Sequence, residues 1–186
     1  MADPKLLEAI QKLRVIDSEG QFVSIDPLYL NPFSLRNLAG ELGVAIFSQC
    51  KECGVGAVIG SSAGGSFSLA HLVAHQLSLL VGGRKEIISV FLDRGKEEEI
   101  EGEMVPTFSL RPAFAKAIEG KPVFVVDGML QTGRTVKRMC QTLVQAHASV
   151  VGLGVICQVG EAFSGVLGVN KFVSVVKIRA ATAKAA

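Results

Sequence analysis

The sequence has no tryptophan, a single tyrosine and only 19% charged residues. It also lacks the run of roughly 18 apolar residues that a membrane-spanning helix needs. The longest candidate, around residues 68–82, is interrupted by His71, His75 and Gln76. We therefore expect no membrane segment. The first residues contain acids and no apolar stretch, which argues against a secretory signal.

The chain also has no large excess of positive or negative charge, since its net charge is only +2 at pH 7. Nucleic acids and anionic membrane surfaces attract strongly basic proteins, so we expect neither as a partner. The hydrophobic fraction of 49% is typical of a globular chain. At 186 residues, the chain is long enough for a single domain with a full core.

Cysteine is scarce, at four residues, but two of them form a C-x-x-C motif at Cys50 and Cys53. In redox proteins this motif opens a helix after a strand. Here it lies at the end of a predicted helix, just before Gly54. We interpret the pair as reduced thiols in a cytoplasmic protein, and the sequence assigns them no function.

Helical and strand patterns alternate along the chain. Apolar residues at three- and four-residue spacing predict helices at 34–53, 67–80 and 135–147. Apolar runs predict strands at 55–60, 85–92, 104–110, 121–127, 149–159 and 171–178. The polar residues 94–103 are predicted to form a mobile loop. Because the central strands are apolar on both faces, we expect an α/β domain whose mainly parallel central sheet carries helices on both faces.

Residues 123–135, VFVVDGMLQTGRT, form a buried strand that runs into a polar loop and a helix start. One interpretation is a Walker-type loop, since residues 128–135 read G-x-x-x-x-G-R-T. Arg134 then stands in place of the lysine that reaches the phosphates, and arginine is not equivalent there. The other interpretation is a monophosphate site, in which helix N-terminal amides and the hydroxyls of Thr132 and Thr135 hold the anion.

The same stretch resembles the diphosphate-sugar motif of the type I phosphoribosyltransferases. That motif has apolar residues, two adjacent acids, two apolar residues and a T-G-x-T-like loop, and it matches here at residues 123–127, 129–130, 132–133 and 135. Residues 57–77, 150–161 and 167–178 are similar to further segments of the orotate phosphoribosyltransferase-like branch. The resemblance extends from about residue 22 to residue 178 and is closest to that branch.

The resemblance implies a protein that binds phosphoribosyl diphosphate (PRPP) or a nucleoside 5′-monophosphate. It implies transfer of phosphoribose to a nucleobase, with release of pyrophosphate. It also implies that Mg²⁺ enters bound to PRPP, and no residue is assigned as a direct metal ligand. It also implies a homodimer, in keeping with a mean hydropathy of +0.42. Residues 1–186 then form one domain, with an N-terminal helix and a shortened hood at 1–33 and a frayed tail at 181–186.

Site residues follow from the same resemblance. Catalytic roles fall on Asp127 and Arg94. Ribose and 5′-phosphate contacts fall on Asp127, Gly128, Met129, Leu130, Gln131, Thr132, Gly133, Arg134 and Thr135. The pyrophosphate loop consists of Ser61, Ser62, Ala63, Gly64 and Gly65.

Four features depart from the family pattern. Gly128 replaces the second acid, and the basic flexible loop becomes RGKEEEIEGE at residues 94–103. The hood is shortened, and either residues 29–31 align with its strand or residues 26–29 align with the segment after that strand. Gln158 and Val159 stand where orotate enzymes carry an arginine for the carboxylate of the base. These features favour an alternative, a non-catalytic nucleotide or PRPP sensor or regulatory protein of the same fold. If transfer occurs, we expect it to be slow and Gly128→Asp to accelerate it, provided that the backbone accepts a side chain.

Overall fold

The computed structural model describes residues 8, 10–12, 15, 24–83, 85–100, 102–160, 169 and 171–178. The helices in this part of the chain are α1 (Asp26–Tyr29), α2 (Pro32–Cys50), α3 (Ser66–Leu80), α4 (Pro112–Ile118) and α5 (Arg134–Gln145). The strands are β1 (Ala57–Ser61), β2 (Ile88–Ile100), β3 (Glu103–Ser109), β4 (Pro122–Leu130), β5 (Ser149–Val159) and β6 (Phe172–Ile178).

The six strands form one sheet in the order β3-β2-β1-β4-β5-β6. β3 is antiparallel to β2, and the other neighbouring pairs are parallel. The predicted mainly parallel sheet is thus confirmed. After β1 the chain adds β2 on one side and later β4 on the other side of β1. In doubly wound sheets, ligands bind at such a switch point, beyond the carboxyl ends of the strands.

Helices cover both faces of the sheet, as predicted. On one face, α2 and α3 bury Leu38, Leu42 and Leu69 against strand residues that include Phe124. On the other face, α5 buries Met139 and packs with residues of β1, β2, β4 and β5. Apolar residues on both faces of β4 therefore enter two separate clusters, which explains its unbroken apolar run.

Residues 94–103 are not the loop that the sequence predicts. β2 continues to Ile100 and pairs with β3 as an antiparallel hairpin, in which Glu97 lies opposite Pro106 and Glu98 opposite Val105. Glutamate is depleted in strands, and residues 94–100 show no alternation of apolar and polar residues that would predict a strand. Main-chain hydrogen bonds to β3 nevertheless satisfy its backbone, and its glutamate side chains face solvent.

Three further differences concern shorter elements. α4 was not predicted, and β4 extends three residues beyond the predicted end at Asp127 to Leu130. The proposed hood strand at residues 29–31 is wrong, since Tyr29 ends the helical turn α1. Of the predicted N-terminal helix, only residues 8 and 10–12 are described, and they are helical. The tail at 181–186 lies outside the described residues.

Two further findings concern the helices and the cysteines. Among the described helices, none is both long enough and apolar enough to cross a bilayer. All four cysteines are free thiols, and burial, with Cys53 beside it, raises the pKa of Cys50 to about 11. A thiol with so high a pKa is a poor nucleophile at neutral pH. The interpretation of Cys50 and Cys53 as reduced thiols therefore fits the structure.

Packing across β4 and β5 generates a stability prediction for two glycines. A Cβ added at Gly152 would collide with the fully buried ring of Phe124, whereas one at Gly40 in α2 would meet nothing. We expect Gly152→Ala to lower the free energy of unfolding by about 1–3 kcal/mol through overpacking. Gly40→Ala should raise it by about 0.5–1 kcal/mol, because alanine is the better helix former. Urea unfolding measures both, and equal effects at the two sites would contradict the packing argument.

Candidate functional site

The carboxyl ends of β1 and β4 open onto one pocket of about 320 Å³. Two strand–loop–helix units form its walls, β1 with α3 and β4 with α5. The lining residues are Ile25, Tyr29, Ser61, Ala63, Gly64, Ser66, Arg94, Phe108, Asp127, Met129, Leu130, Gln131, Thr132, Gly133, Arg134, Thr135 and Val136. The segments singled out in the sequence thus converge on the same cavity.

Asp127 lies near the end of β4 and is held by two hydrogen bonds. The Ser66 hydroxyl donates to its Oδ1 at 2.6 Å, and the Gly128 amide donates to the same oxygen at 2.8 Å. Burial raises the pKa of Asp127, while these two hydrogen bonds and the charge of Arg94 act in the opposite direction. A carboxylate fixed through one oxygen retains acceptor sites for a ligand.

The loop between β4 and α5 has the geometry of an anion cradle. Gly133 adopts a left-handed conformation, with φ of +77°, at the N-cap of α5, where no side chain caps the helix. The first amides of a helix have no partner inside it, and the helix dipole places partial positive charge there. Thr132 and Thr135 line the pocket beside these amides. The loop can therefore bind a phosphate group through main-chain amides and hydroxyls.

The loop after β1 is fastened by its own serines. The Ser61 hydroxyl accepts a hydrogen bond from the Ala63 amide at 3.0 Å, and the Ser62 hydroxyl accepts one from the Arg94 amide at 3.0 Å. Gly64 and Gly65 both have positive φ, at +63° and +74°, which turns the chain into α3. The loop is thereby held against β2 and faces the pocket across from Asp127.

Arg94 reaches the pocket but already has a partner. Its Nη2 atom donates to Glu97 Oε1 at 2.8 Å, with 41% of the Arg94 side chain exposed. An exposed ion pair of this kind is worth about 0.2–1 kcal/mol. An incoming anionic ligand must therefore compete with Glu97 for the guanidinium group.

Most predicted site residues lie at the pocket, but three do not line it. Ser62 fastens the loop to β2, and Gly65 and Gly128 lie against Tyr29 instead. The sequence missed Ser66, although it directly follows the predicted pyrophosphate loop. It also missed Ile25, Tyr29, Phe108 and Val136, of which the first three come from elements distant in the sequence.

The described residues include no cluster of three metal-ligating side chains. Mg²⁺ that enters with a diphosphate needs no such cluster, because it keeps waters and substrate oxygens and takes one or two carboxylates. Asp127 is a carboxylate of this kind at the pocket wall. The residues present therefore fit a metal carried by its substrate.

A family model described as "Phosphoribosyl transferase domain" matches residues 57–178, which include both loops and the strands β1 to β6. The chain belongs to the phosphoribosyl transferase domain family. The loop between β4 and α5 at residues 131–133, called the phosphate loop below, lies within the matched range. The Walker interpretation is therefore wrong.

Named relatives of this phosphoribosyl transferase domain are similar along most of its length. An adenine phosphoribosyltransferase from Corynebacterium jeikeium is 28% identical over 158 residues, covering 80% of this chain and 72% of the relative. The structure of an adenine phosphoribosyltransferase from Rhodothermus marinus covers 94% of this chain and 99% of its own, at 18% identity and a TM-score of 0.65. One from Trypanosoma brucei, in complex with AMP, pyrophosphate and ribose-5-phosphate, covers 84% and 69%, at 15% identity and a TM-score of 0.59.

These relatives do not support the assignment to the orotate branch or the expectation of a pyrimidine base. The structure agrees at Gln158, which stands where an orotate enzyme carries arginine. Its amide group donates to Gly160 O and its carbonyl oxygen accepts from Ser174, both at 3.4 Å. Gln158 is not among the residues that line the pocket.

The raised pKa of Asp127 predicts opposite effects of Asp127→Asn on stability and on binding. Asparagine keeps the oxygen that accepts from Ser66 and Gly128 but removes the buried charge. Because the folded-state pKa lies above the unfolded value, ionised Asp127 destabilises the folded protein at neutral pH. We expect the variant to be more stable than the parent at pH 7, and the difference to shrink as the pH falls through the folded-state pKa. Denaturant unfolding over that pH range measures this.

Binding of ribose 5-phosphate should fall at least about tenfold in the same variant, since charge-assisted hydrogen bonds to the ribose are lost. A variant less stable than the parent throughout the pH range would show that the surrounding donors fully compensate the charge.

The ion pair of Arg94 generates a prediction about diphosphate binding. Glu97→Ala should free the guanidinium group and raise the affinity for inorganic pyrophosphate by about two- to fivefold. Glu99→Ala is the matched control, because it removes the same charge two residues further along β2. Calorimetry with both variants separates the effect of the ion pair from the effect of net charge. Equal increases in pyrophosphate affinity would attribute the effect to net charge alone.

Proposed function

We propose that the protein transfers the phosphoribosyl group of PRPP to a purine base, with adenine as the acceptor, and releases pyrophosphate. The observation that carries this proposal is the convergence of Asp127, the phosphate loop and the residue 61–65 loop on a single pocket. These groups suit a ligand with a 5′-phosphate at one end, a ribose in the middle and a diphosphate at the other end.

The positions of the loops suggest an orientation for PRPP. Its 5′-phosphate would bind the amides and threonines of residues 132–135 at the start of α5. The ribose hydroxyls would donate to Asp127, and the diphosphate would lie between residues 61–65 and Arg94. Mg²⁺ bound to the diphosphate would offset its negative charge.

In the transfer, the bond from C1′ to the diphosphate oxygen breaks, and the electron pair leaves on that oxygen. A ring nitrogen of the base forms the new bond to C1′ and releases its proton to solvent. Positive charge develops on the ribose ring meanwhile, and a negative group beside the ring stabilises it. Asp127 supplies this charge when ionised. Its raised pKa predicts that activity declines as the pH falls through that value.

Adenine is favoured over orotate by the chemistry of the pocket as well as by the relatives' names. Orotate carries a carboxylate that calls for a cationic partner. The described arginines at the pocket, Arg94 and Arg134, belong to the diphosphate and phosphate ends. Ile25 and Phe108 supply apolar wall that suits the face of a purine ring.

The absence of a second acid at Gly128 favours slow transfer. Only interactions that strengthen in the transition state raise the rate, and one carboxylate offers less of them than two. The alternative, a non-catalytic sensor that binds the same ligands, is favoured by this glycine and by the Arg94–Glu97 pair.

The test is an incubation of the protein with PRPP, Mg²⁺ and single bases, with products identified by mass spectrometry. We expect AMP from adenine, no nucleotide from orotate, and loss of AMP formation in Asp127→Asn. Binding of ribose 5-phosphate without any nucleotide product would overturn transferase activity in favour of the sensor. Failure to bind ribose 5-phosphate or PRPP at all would overturn both.

We also propose that the protein is a homodimer. Leu30, Phe33 and Phe67 are 84%, 73% and 50% exposed, which is unusual for three large apolar side chains of one region. A groove that includes Tyr29, Pro32 and Phe67 connects this surface to the pocket. We expect light scattering to give the mass of a dimer at micromolar concentration and Phe33→Asp to shift it towards the monomer. Val144→Asp, on the exposed face of α5, is the control, and a monomeric parent protein would contradict the proposal.

A further inference from the structure

The place of the absent second acid is occupied by a side chain from another part of the chain. Gly128 is not among the glycines with positive φ, so its backbone accepts a side chain. A Cβ there would nevertheless collide with the hydroxyl oxygen of Tyr29. The obstacle to Gly128→Asp is therefore Tyr29 and not backbone strain, and the single substitution should fail to accelerate transfer.

The ring of Tyr29 also packs against a second glycine, Gly65. A Cβ at Gly65 would overlap the Cδ1 and Cγ atoms of Tyr29. Gly65 precedes α3, and Gly128 lies in β4. The unit of β1 and α3 and the unit of β4 and α5 thus each have a glycine at the point where the Tyr29 ring packs between them.

The hydroxyl group of Tyr29 has an unusual environment. It is buried and has no hydrogen-bond partner among the described residues. Ser66 lies close enough to act against the rise in the pKa of Tyr29, but its hydroxyl donates to Asp127 and makes no well-formed hydrogen bond with the phenol. Burial and, after it, the charge of Asp127 raise the pKa of Tyr29, so that the phenol keeps its proton. A buried hydroxyl without a partner is costly and calls for an explanation.

We propose that the Tyr29 hydroxyl is the second ribose-binding group of this protein, in the role that Gly128 leaves open. The inference rests on the proposed function, in that the pocket takes a phosphorylated ribose. Tyr29 lines the same pocket as Asp127 and the phosphate loop. A phenol both donates and accepts, as a ribose hydroxyl does, so the two are matched partners. The hydroxyl is covered in the free protein, so contact requires a small shift of the ring away from Gly128.

The substitution of a phenol for a carboxylate has a specific consequence. A neutral hydroxyl can bind the ribose in the ground state but adds no negative charge as the ring becomes positive. Tyr29 should therefore contribute to the affinity for ribose phosphates, and to KM, much more than to kcat. A tyrosine that only filled space would affect neither in this selective way.

Tyr29→Phe tests the inference, because it removes one oxygen and keeps the ring between the two glycines. By calorimetry, we expect the affinity for ribose 5-phosphate to fall about three- to tenfold, the effect of one hydrogen bond. Affinity for inorganic phosphate, which binds only the loop before α5, should not change. The thermal midpoint of the free variant should equal or exceed that of the parent, since an unpartnered hydroxyl is removed.

The composition supplies a second measurement that needs no variant. The chain has one tyrosine and no tryptophan, so emission excited at wavelengths that phenylalanine does not absorb comes from Tyr29 alone. Ribose 5-phosphate should change the tyrosine emission of the parent protein, and inorganic phosphate should leave it nearly unchanged.

The outcomes separate the inference from the function on which it rests. Equal ribose 5-phosphate affinities of the parent and Tyr29→Phe, or binding without a change in emission, would overturn the role of Tyr29 and leave the proposed function intact. A parent protein that binds inorganic phosphate but not ribose 5-phosphate would overturn the proposed function itself.

Discussion

The hydrogen bond from Ser66 to Asp127 joins the two halves of the pocket. Its partners are 61 residues apart, one at the start of α3 and one near the end of β4. They meet because β1 and β4 are parallel neighbours, with Ala57 opposite Val123 and Ile59 opposite Val125. Ser66 is only 2% exposed, so water does not compete for the bond. The spacing of the two ligand-facing loops depends on this register and on this contact.

The charge of Asp127 favours the proposed ligand binding but lowers the stability of the folded protein. The apolar strand that carries it is buried on both faces, and the carboxylate is partly desolvated at its end. The carboxyl group that we propose as the ribose-binding group is therefore one that the folded protein ionises reluctantly. Two donors to a single oxygen reduce this cost and leave acceptor sites directed to a ligand. Perturbed pKa values of this kind are common at functional sites.

The acidic hairpin and the tyrosine change the same pocket in different ways. The hairpin brings Glu97 to Arg94 and so lowers the free positive charge at the diphosphate end. Tyr29 brings a neutral hydroxyl against Gly128, the position of the second acid in the motif that the sequence resembles. Under the proposed function, both changes would retain ligand contacts and would weaken the electrostatic contribution to transfer.

The sequence alone determined the layout of the domain, because hydrophobic periodicity and apolar runs are local properties of the chain. Strands buried on both faces and helices between them allowed a parallel sheet to be predicted, and the T-G-R-T loop between β4 and α5 predicted a phosphate site. The sequence did not reveal the β2–β3 hairpin, whose glutamates have low strand propensity and are held by main-chain bonds to a partner strand.

Tertiary structure alone decided which distant residues share the pocket. Ser66 acts on Asp127 through the register of β1 and β4, and Tyr29 reaches Gly128 because its ring packs against Gly65 and against β4. From the sequence, Gly128 was only an acid replaced by glycine, since no local pattern relates it to a tyrosine about a hundred residues earlier. Such contacts depend on how elements pack in three dimensions, and a one-dimensional pattern does not contain that information.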